Sequence, residues 1–495
     1  MAIPNQFLRR RSTIAFFTPE ETAFDYKYPA ADAALITVDP IDLNQTLNFT
    51  DLNEVGTRLL NTQSVLNYGE RTDATFQVIS KIGELPTAVL GNAAGEKAVA
   101  FRPAEHFLIN QLMGDYTEYL NETGVGGNDN RLNIGGNMKE CVGYSFKDTP
   151  NTFQISQLVN DHMLKCGMGT ILSGGSLNIS REGALTWEVN SRSARIQYSG
   201  TAAINATATQ AANNAGSANP TPAAGESFLT LEIIPPTGSN AKAEDFIKPK
   251  DHFAIVDGGT SSNQGNILES GQVSADANGV PLNQAGGGGH DTLEVSAVAG
   301  NVITLLSAYT CQNGFDDDSY LVPILPDPDL STQPANVIPQ GNAQIYLADR
   351  DATLQQLFDP NNKFLASDFT MSIDKSLGDP GVGELTGDPY PAPVYVAQDY
   401  NVNGTMSMVL RPKELYRLNS SLRDYDKSLG VELKVPSVTL DGTVDRSIFI
   451  ALRSVRISFE GSEMDGAEGA SLSYVVTRGG AAITSDAELM SILYA

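Results

Sequence analysis

Metal sites and acid–base catalysts are built from histidine, cysteine and carboxylate side chains, of which the chain has 4, 3 and 58. No two histidines stand four residues apart, the spacing that places two metal ligands on one helix face. Cys141, Cys166 and Cys311 are far apart and include no CxxC pair, which disfavours a zinc cage or a disulfide framework. We predict no metal or cofactor and expect reduced, buried thiols, with a Cys141–Cys166 bridge as the open alternative.

Phosphate-binding loops and catalytic serine turns also have characteristic sequences. The chain contains neither GxxxxGK[ST] nor GxSxG. Its glycine-rich segments 124–130 and 285–290 lack the lysine of a phosphate loop, so we interpret them as surface loops. Among 58 acidic residues no particular pair stands out as a general acid and base. We therefore predict that the protein is not an enzyme.

The net charge restricts the possible partners. The chain has 32 Lys and Arg against 58 Asp and Glu, giving a formal net charge of −26 and a pI near 4.4. Binding of nucleic acid or anionic lipid by the whole surface needs a basic field and is excluded. No apolar run of about 20 residues predicts a membrane span. The N-terminal sequence does not match a signal peptide, so we expect synthesis in a cytoplasm.

The elements that must position any functional side chain are mostly strands. Residues 201–226 consist almost entirely of Ala, Asn, Thr, Gly and Pro, a composition that predicts a linker. Residues 227–345 contain short alternating segments such as LTLEI, HFAIV and LEVSAVAGNVITLL, which predict a small β-barrel or sandwich. From Ala218 to Ile345 there are 15 acidic residues, three lysines and no arginine, a net charge of −12. The inserted domain is therefore expected to be strongly solvated.

The regions on either side of this domain resemble each other. RPAEHFLINQLMGD (102–115) and RPKELYRLNSSLRD (411–424) align without gaps. Proline at the first helical position and glutamate in the first turn favour helix initiation, so both segments predict a helix. Ile109 and Met113 in the first copy, and Leu418 and Leu422 in the second, would fall on one i, i+4 face. The assembly-helix motif of the two copies is Arg102, Pro103 and Glu105, and Arg411, Pro412 and Glu414.

The similarity continues downstream, where SLNISREGAL (176–185) matches SVRISFEG (454–461). Both copies show the order strand, long polar loop, strand, helix, strand, strand, strand. We predict a mainly β protein with two tandem units, 1–200 and 346–495, each with one α-helix, around the inserted β-domain. Such units expose sheet edges, and closure into a ring would remove those edges. Two independent β-sandwiches are the alternative.

At this point the sequence resembles the tail tube proteins of long-tailed bacteriophages. FLRRRSTIAFFTPEETAFDY, AALITVDPIDL and GGSLNISREGALTWEV are similar to one tube unit, and DYNVNGTMSMVLRPKELYRL with IALRSVRISFEGSEMDG to a second. The resemblance implies a β-barrel lumen formed by rings of subunits. With two units per chain it implies three chains in a pseudo-hexameric ring. The polar stretches 44–70 and 376–393 would join stacked rings.

The resemblance also implies a function, a location and partners. The protein would be the major tail tube protein of a virion, assembled in the host cytoplasm and conducting DNA from capsid to host. Its partners would be copies of itself, the tape measure, terminator and baseplate proteins and a sheath where one exists. DNA would pass without tight binding and no membrane would be entered. Candidate acidic residues of the lumen or barrel wall are Glu182, Glu188, Glu432 and Glu460.

Two other functions fit the same sequence. Another tail ring component, such as a baseplate or terminator protein, would use related units in one ring without polymerising. A secreted acidic β-rich binding protein or adhesin would use the β-domains for recognition. Of the net charge, −12 belongs to residues 218–345, which include the inserted domain, and the remaining −14 belongs to the rest of the chain.

Overall fold

A computed structural model gives the fold of the chain. It describes residues 14–18, 41, 43–44, 47–52, 63–69, 72–82, 103, 105–119, 132–139, 141–146, 152–159, 163–180, 182–210, 222–235, 242–249, 251–258, 267–270, 293–311, 313–316, 318–324, 337–341, 343–364, 366–378, 396–409, 426–435, 446–464, 467–478 and 489–495. The prediction of a mainly β protein is confirmed, because antiparallel sheets dominate these residues.

Among the described residues, helices are few and short compared with the strands. In the first 200 residues the elements are β1 (Ile14–Thr18), β2 (Leu47–Leu52), β3 (Gln63–Gly69), β4 (Thr72–Ile79), α1 (His106–Met113), β5 (Gly114–Tyr119), β6 (Leu132–Ile134), β7 (Asn137–Lys139), β8 (Cys141–Phe146), β9 (Phe153–Val159), β10 (Met163–Ile179) and β11 (Thr186–Gly200).

The middle of the chain forms a second group. Its elements are β12 (Ala202–Gln210), β13 (Ser227–Ile234), α2 (Ala243–Phe246), β14 (His252–Val256), β15 (Ile267–Ser270), β16 (Val295–Ala299), β17 (Val302–Thr310) and β18 (Tyr320–Ile324). The last part contains β19 (Ala343–Asp349), α3 (Leu354–Leu357), a 3-10 turn (Pro360–Asn362), β20 (Lys363–Phe364), β21 (Ala366–Gly378), β22 (Val396–Val409), β23 (Asp426–Val435), β24 (Arg446–Met464), β25 (Ala467–Val476) and β26 (Met490–Tyr494).

One large sheet joins the first and last parts of the chain. β10 pairs with β21 over Gly174–Ile179 and Phe369–Asp374, and β26 pairs with β8. Gly174 permits the first of these contacts, because a Cβ at this position would lie 2.8 Å from the carbonyl oxygen of Ile373. The two parts therefore share one hydrophobic core.

The same pairing order occurs on both sides of this junction. In the first part it is β1-β9-β10-β11-β4, and in the last part it is β19-β23-β24-β25-β22. All these pairs are antiparallel. β21 then joins β22 to β10, so that two sheets of the same order become continuous.

Helix α1 packs against the junction with its apolar side. Ile109 and Met113, expected on one face, are both buried. The helix ends at Gly114, whose backbone N–H bonds to the carbonyl of Asn110 in a left-handed conformation that glycine adopts readily. The predicted start needs correction, because the helix begins at His106. Pro103 instead forms a β-bridge with Ile82.

Glu105 precedes the helix, but its side chain does not cap it. The carboxylate is buried and accepts the N–H of Lys81 at 3.2 Å. Competition from this backbone donor explains why the expected first-turn role is not seen. Arg102 and the second copy of the motif (Arg411, Pro412 and Glu414) lie outside the described residues.

The inserted domain is a seven-stranded sheet of order β15-β14-β18-β12-β13-β17-β16. The strands predicted from LTLEI, HFAIV and the VITLL hairpin are all present. The predicted linker 201–226 requires a correction, because residues 202–210 form β12. Ala202 and Ile204 of β12 are buried in the domain core, a short apolar alternation that the Ala- and Asn-rich composition concealed. Residues 211–221 lie outside the described part.

Two further expectations can be compared with the structure. Within the polar stretch 44–70, predicted as a loop, β2 and β3 form an antiparallel hairpin. In β2, Leu47 and Phe49 alternate with Asn48 and Thr50, and β3 contains Val65, Leu66 and Tyr68, residue types that suit a strand better than a loop. Residues 379–393 of the other stretch lie outside the described residues. The three cysteines are buried and unbridged, so the Cys141–Cys166 alternative does not hold.

Gly404 in β22 allows a buried tyrosine to cross the sheet. The Tyr474 hydroxyl donates to the carbonyl oxygen of Thr370 at 2.7 Å, and its ring stacks on Phe369. A Cβ on Gly404 would overlap both this hydroxyl and the Thr370 carbonyl. Overpacking of a core costs about 1–3 kcal/mol and a lost hydrogen bond about 1 kcal/mol.

We therefore expect Gly404→Ala to lower the free energy of unfolding by about 2–4 kcal/mol. Thermal and urea unfolding of the full chain measure this loss. Gly200→Ala is the matched control, because nothing lies within 4 Å of a Cβ at Gly200. Equal effects of the two substitutions would contradict this account of Gly404.

Candidate functional surface

Seven strands form a continuous antiparallel path, β4-β11-β10-β21-β22-β25-β24, whose two sides differ sharply in chemistry. Successive side chains of a strand point to opposite sides. On one side they enter the core, as Phe76, Trp187 and Met371 do. The other side we call the polar face. Its described side chains are Asp73, Thr75, Gln77, Ile79, Ser176, Asn178, Thr186, Glu188, Asn190, Arg192, Asp368, Thr370, Ser372, Asp374, Ser376, Asp399, Asn401, Asn403, Thr405, Ser407, Arg456, Ser458, Ser471, Ser473 and Val475.

One row of residues in register crosses all seven strands of the polar face. In order it consists of Gln77, Glu188, Ser176, Ser372, Asn403, Val475 and Arg456. At about 4.8 Å per strand the row is about 29 Å long. Val475 is its one large apolar member. The described part of the face is therefore a broad hydrophilic surface, on which the large apolar residues Ile79 and Val475 lie on separate strands, β4 and β25, and form no continuous apolar patch.

Hydrogen bonds between neighbouring strands fix side chains on this face. The Thr75 hydroxyl donates to Oδ1 of Asn190 at 2.8 Å. The hydroxyls of Thr370 and Thr405 lie 2.8 Å apart. Such bonds hold the polar groups in place while leaving their other hydrogen-bonding capacity to water.

Carboxylates outnumber cations on the polar face, and both cations lie near carboxylates. Arg192 binds Asp73 through two bonds, Nε–Oδ1 at 2.6 Å and Nη2–Oδ2 at 3.1 Å. Arg456 Nε lies 3.7 Å from Oδ1 of Asp426, which also pairs with Arg350. The face thus presents hydroxyls, amides and net negative charge, with its positive charge largely compensated.

The four acidic residues predicted for the lumen or barrel wall occupy different places. Glu188 lies on the polar face, exposed between Gln77 and Ser176. Glu182 is exposed in the bend between β10 and β11 rather than in a strand, which corrects its predicted position. The backbone of Glu460 pairs with Ser471 in the β24–β25 ladder, and its side chain lies outside the described residues.

Glu432 belongs to a separate, partly buried cluster on β23, outside the seven-strand path. Its carboxylate accepts the Tyr346 hydroxyl at 2.6 Å and the Ser447 hydroxyl at 3.3 Å. Burial and the Glu432 carboxylate both raise the pKa of Tyr346, because each disfavours the phenolate. Glu432 therefore has structural partners instead of a free position on the polar face.

Sequence reasoning missed most of the polar face because it concentrated on glutamates. The signal was the alternation of Ser, Thr and Asn with apolar residues in FTMSI and VNGTMSM, which are segments of β21 and β22. This pattern predicts a half-buried strand, but hydroxyl and amide residues are not distinctive of any site. Only the register brings them onto one surface.

Both ends of the seven-strand path have edges without a strand partner among the described residues. β4 pairs only with β11 there. Residues 457–464 of β24 pair only with β25. Unpaired strand edges invite the addition of another strand. Among the described residues, the two end strands of the path, β4 and residues 457–464 of β24, are therefore each paired on one side.

Other kinds of site find no support in the described ranges. They contain no group of three or more His, Cys, Asp or Glu residues placed to hold a metal ion. Within the same ranges, no helix is long and apolar enough to span a bilayer.

The composition of the polar face predicts weak affinity for polyanions. We expect the native protein not to retain a labelled 20-base-pair DNA duplex at about 100 mM salt, because counterion release needs uncompensated cations. The triple variant Gln77→Lys, Ser176→Lys and Ser372→Lys places three lysines in one row and should bind measurably. Each added phosphate contact contributes about −0.9 to the slope of log K against log salt.

Fluorescence anisotropy over a salt series measures both properties. The control variant, Ser296→Lys, Gln355→Lys and Asn361→Lys, adds the same charge at dispersed exposed positions. Tight, salt-dependent binding by the native chain, or equal binding by both lysine variants, would contradict this view of the face.

No protein-family model matches the chain, and no curated protein matches it significantly. We therefore argue function from the polar face and the edges of its sheet.

Proposed function

We propose that the protein is a structural component of a bacteriophage tail, the major tail tube protein, whose copies form stacked rings around a channel for DNA. The observation that carries this proposal is one polar face on a single continuous sheet, whose end strands have no second strand partner among the described residues. Copies joined at these edges would bury the unpaired backbone, and closure of the sheet would leave no edge. The polar face would then line the inside of the ring.

The repeated pairing order supports three copies per ring. One chain already contains two sheets of the same order, joined by the β10–β21 ladder. A similar joint between chains would continue the sheet around the ring. Three copies would provide about 21 strands, more than the 16–18 that already leave an aqueous channel in known barrels.

The chemistry of the polar face supports passage of DNA without retention. Each uncompensated cation on a channel wall would add affinity for phosphate. Arg192 is held by Asp73, and carboxylates outnumber guanidinium groups on the face. A hydrated wall of hydroxyls, amides and carboxylates would bind a passing polyanion only weakly.

The attachment of the inserted domain supports a place outside the channel. β12 follows directly after the C-terminal end of β11, whereas the polar face uses the N-terminal half of β11. A hydrogen bond also holds the inserted domain to the C-terminal end of β11. The Ser199 hydroxyl of β11 donates to the carboxylate of Asp251, a residue of the inserted domain, at 3.2 Å. The most acidic part of the chain thus begins at the end of the strand opposite the polar face.

Electron microscopy of the purified protein tests the proposal. We expect hollow stacked tubes, with the length of the tubes increasing with protein concentration. Discrete single rings at every concentration would favour a baseplate or terminator component, whose sheet would close in the same way. Monomers under all conditions would contradict ring formation and leave an acidic binding protein or adhesin as the better interpretation.

The number of copies per ring is a separate prediction. Native mass spectrometry of rings released from tubes at low protein concentration should give three chains of 52.8 kDa each. Six chains per ring would contradict the pseudo-hexamer while leaving the tube itself intact.

A further inference from the structure

Helix α1 lies across the junction of the first and last parts of the chain. Its Leu112 side chain packs on β10, where a Cβ at Gly175 would lie 3.0 Å from Leu112 Cδ2. Its last turn is bound to β21, because Nζ of Lys375 donates to the carbonyl oxygen of Gln111 at 2.6 Å. A movement of α1 would therefore disturb its contacts with both strands of the β10–β21 ladder.

Lys375 is an unusual donor because it is 5% exposed and no described carboxylate lies within 4 Å of its ammonium group. The Lys375 Nζ atom also lies 5.5 Å from the centroid of the Tyr400 ring. The carbonyls of a last helical turn lack helical partners and carry partial negative charge. They offer the amine a hydrogen bond but no full countercharge.

Glu105 occupies the other end of the helix and is also buried. The groups around its carboxylate are the backbone and charge of Lys81, the Ser80 hydroxyl and the Tyr494 phenol. Tyr144 lies edge-on to Tyr494, and its hydroxyl is 2.7 Å from Nδ1 of His106. Through its bond to the Lys81 amide, Glu105 links α1 to the segment after β4.

We propose that α1 is a proton-responsive joint between the two parts of the chain, with a buried acid at its N-terminal end and a buried amine at its C-terminal end. This inference stands on the packing of α1 and holds whether or not the protein forms tubes. Acidification neutralises the acid and charges the amine, and alkalinisation does the reverse. Each state leaves one charge buried at one end of the helix.

The direction of the effect follows from the two groups separately. Burial raises the pKa of Glu105 from 4.5 to about 7, so its contribution to stability is complete below about 4.5 and is lost as pH rises through 7. Burial lowers the pKa of Lys375 from 10.5 to about 7, so its contribution is complete above 10.5 and is lost as pH falls through 7. The two contributions together make the packing of α1 least stable near pH 7, and its stability rises toward both lower and higher pH.

Hydrogen exchange of the native full-length chain provides the first test. Protection of the amides in peptides covering 105–114, corrected for intrinsic exchange, should pass through a minimum near pH 7. We expect at least a tenfold rise by pH 9, since one unit of pKa shift corresponds to about a tenfold change in an equilibrium constant. Protection that changes in only one direction from pH 5 to pH 9 would overturn the proposal.

Two substitutions then assign the effect to its groups. Lys375→Met should raise protection of α1 most below pH 7, with the gain shrinking as pH rises. Glu105→Gln should raise it most above pH 7, with the gain shrinking as pH falls. The exposed controls Lys434→Met and Glu182→Gln should leave the profile unchanged. Profiles of both buried-site variants parallel to the native profile would also overturn the proposal.

Discussion

The ladder between β10 and β21 is the interaction on which the rest of the structure depends. It joins Gly174–Ile179 to Phe369–Asp374 and turns two sheets, far apart in sequence, into one. The polar face, its row across seven strands and the position of α1 all require this pairing. Gly174 lies in this ladder at a position where a Cβ would lie 2.8 Å from the opposing carbonyl oxygen of Ile373.

Register gives this sheet its two different sides. Shifting a strand by one residue would expose its core side chains and bury its polar ones. Burial of an apolar side chain such as Phe369 or Met371 contributes about 1.5–3 kcal/mol, and burial of an unpartnered hydroxyl costs about 1–3 kcal/mol. The same energies that hold the core therefore also keep the hydroxyls, amides and carboxylates on one surface.

The sequence predicts the local parts of this structure better than their assembly. Alternation revealed the strands of the inserted domain, and the i, i+4 spacing of Ile109 and Met113 identified the buried side of α1. The start of that helix was mispredicted because burial and the Lys81 amide decide the position of Glu105. The polar face could not be predicted, because strand register brings together serines and threonines that are ordinary in sequence. Lys375 likewise gains its significance only from a partner 264 residues away.

We propose that other copies of the chain extend the seven-strand sheet at its end strands, β4 and β24, which each pair on one side among the described residues. Hydrogen exchange of β4 and of residues 457–464 in β24, compared between dissociated chains and the assembled protein, tests this most directly. Our account predicts strong protection of both edges on assembly, while the β10–β21 ladder is protected in both states. Edges that exchange equally fast in both states would contradict it.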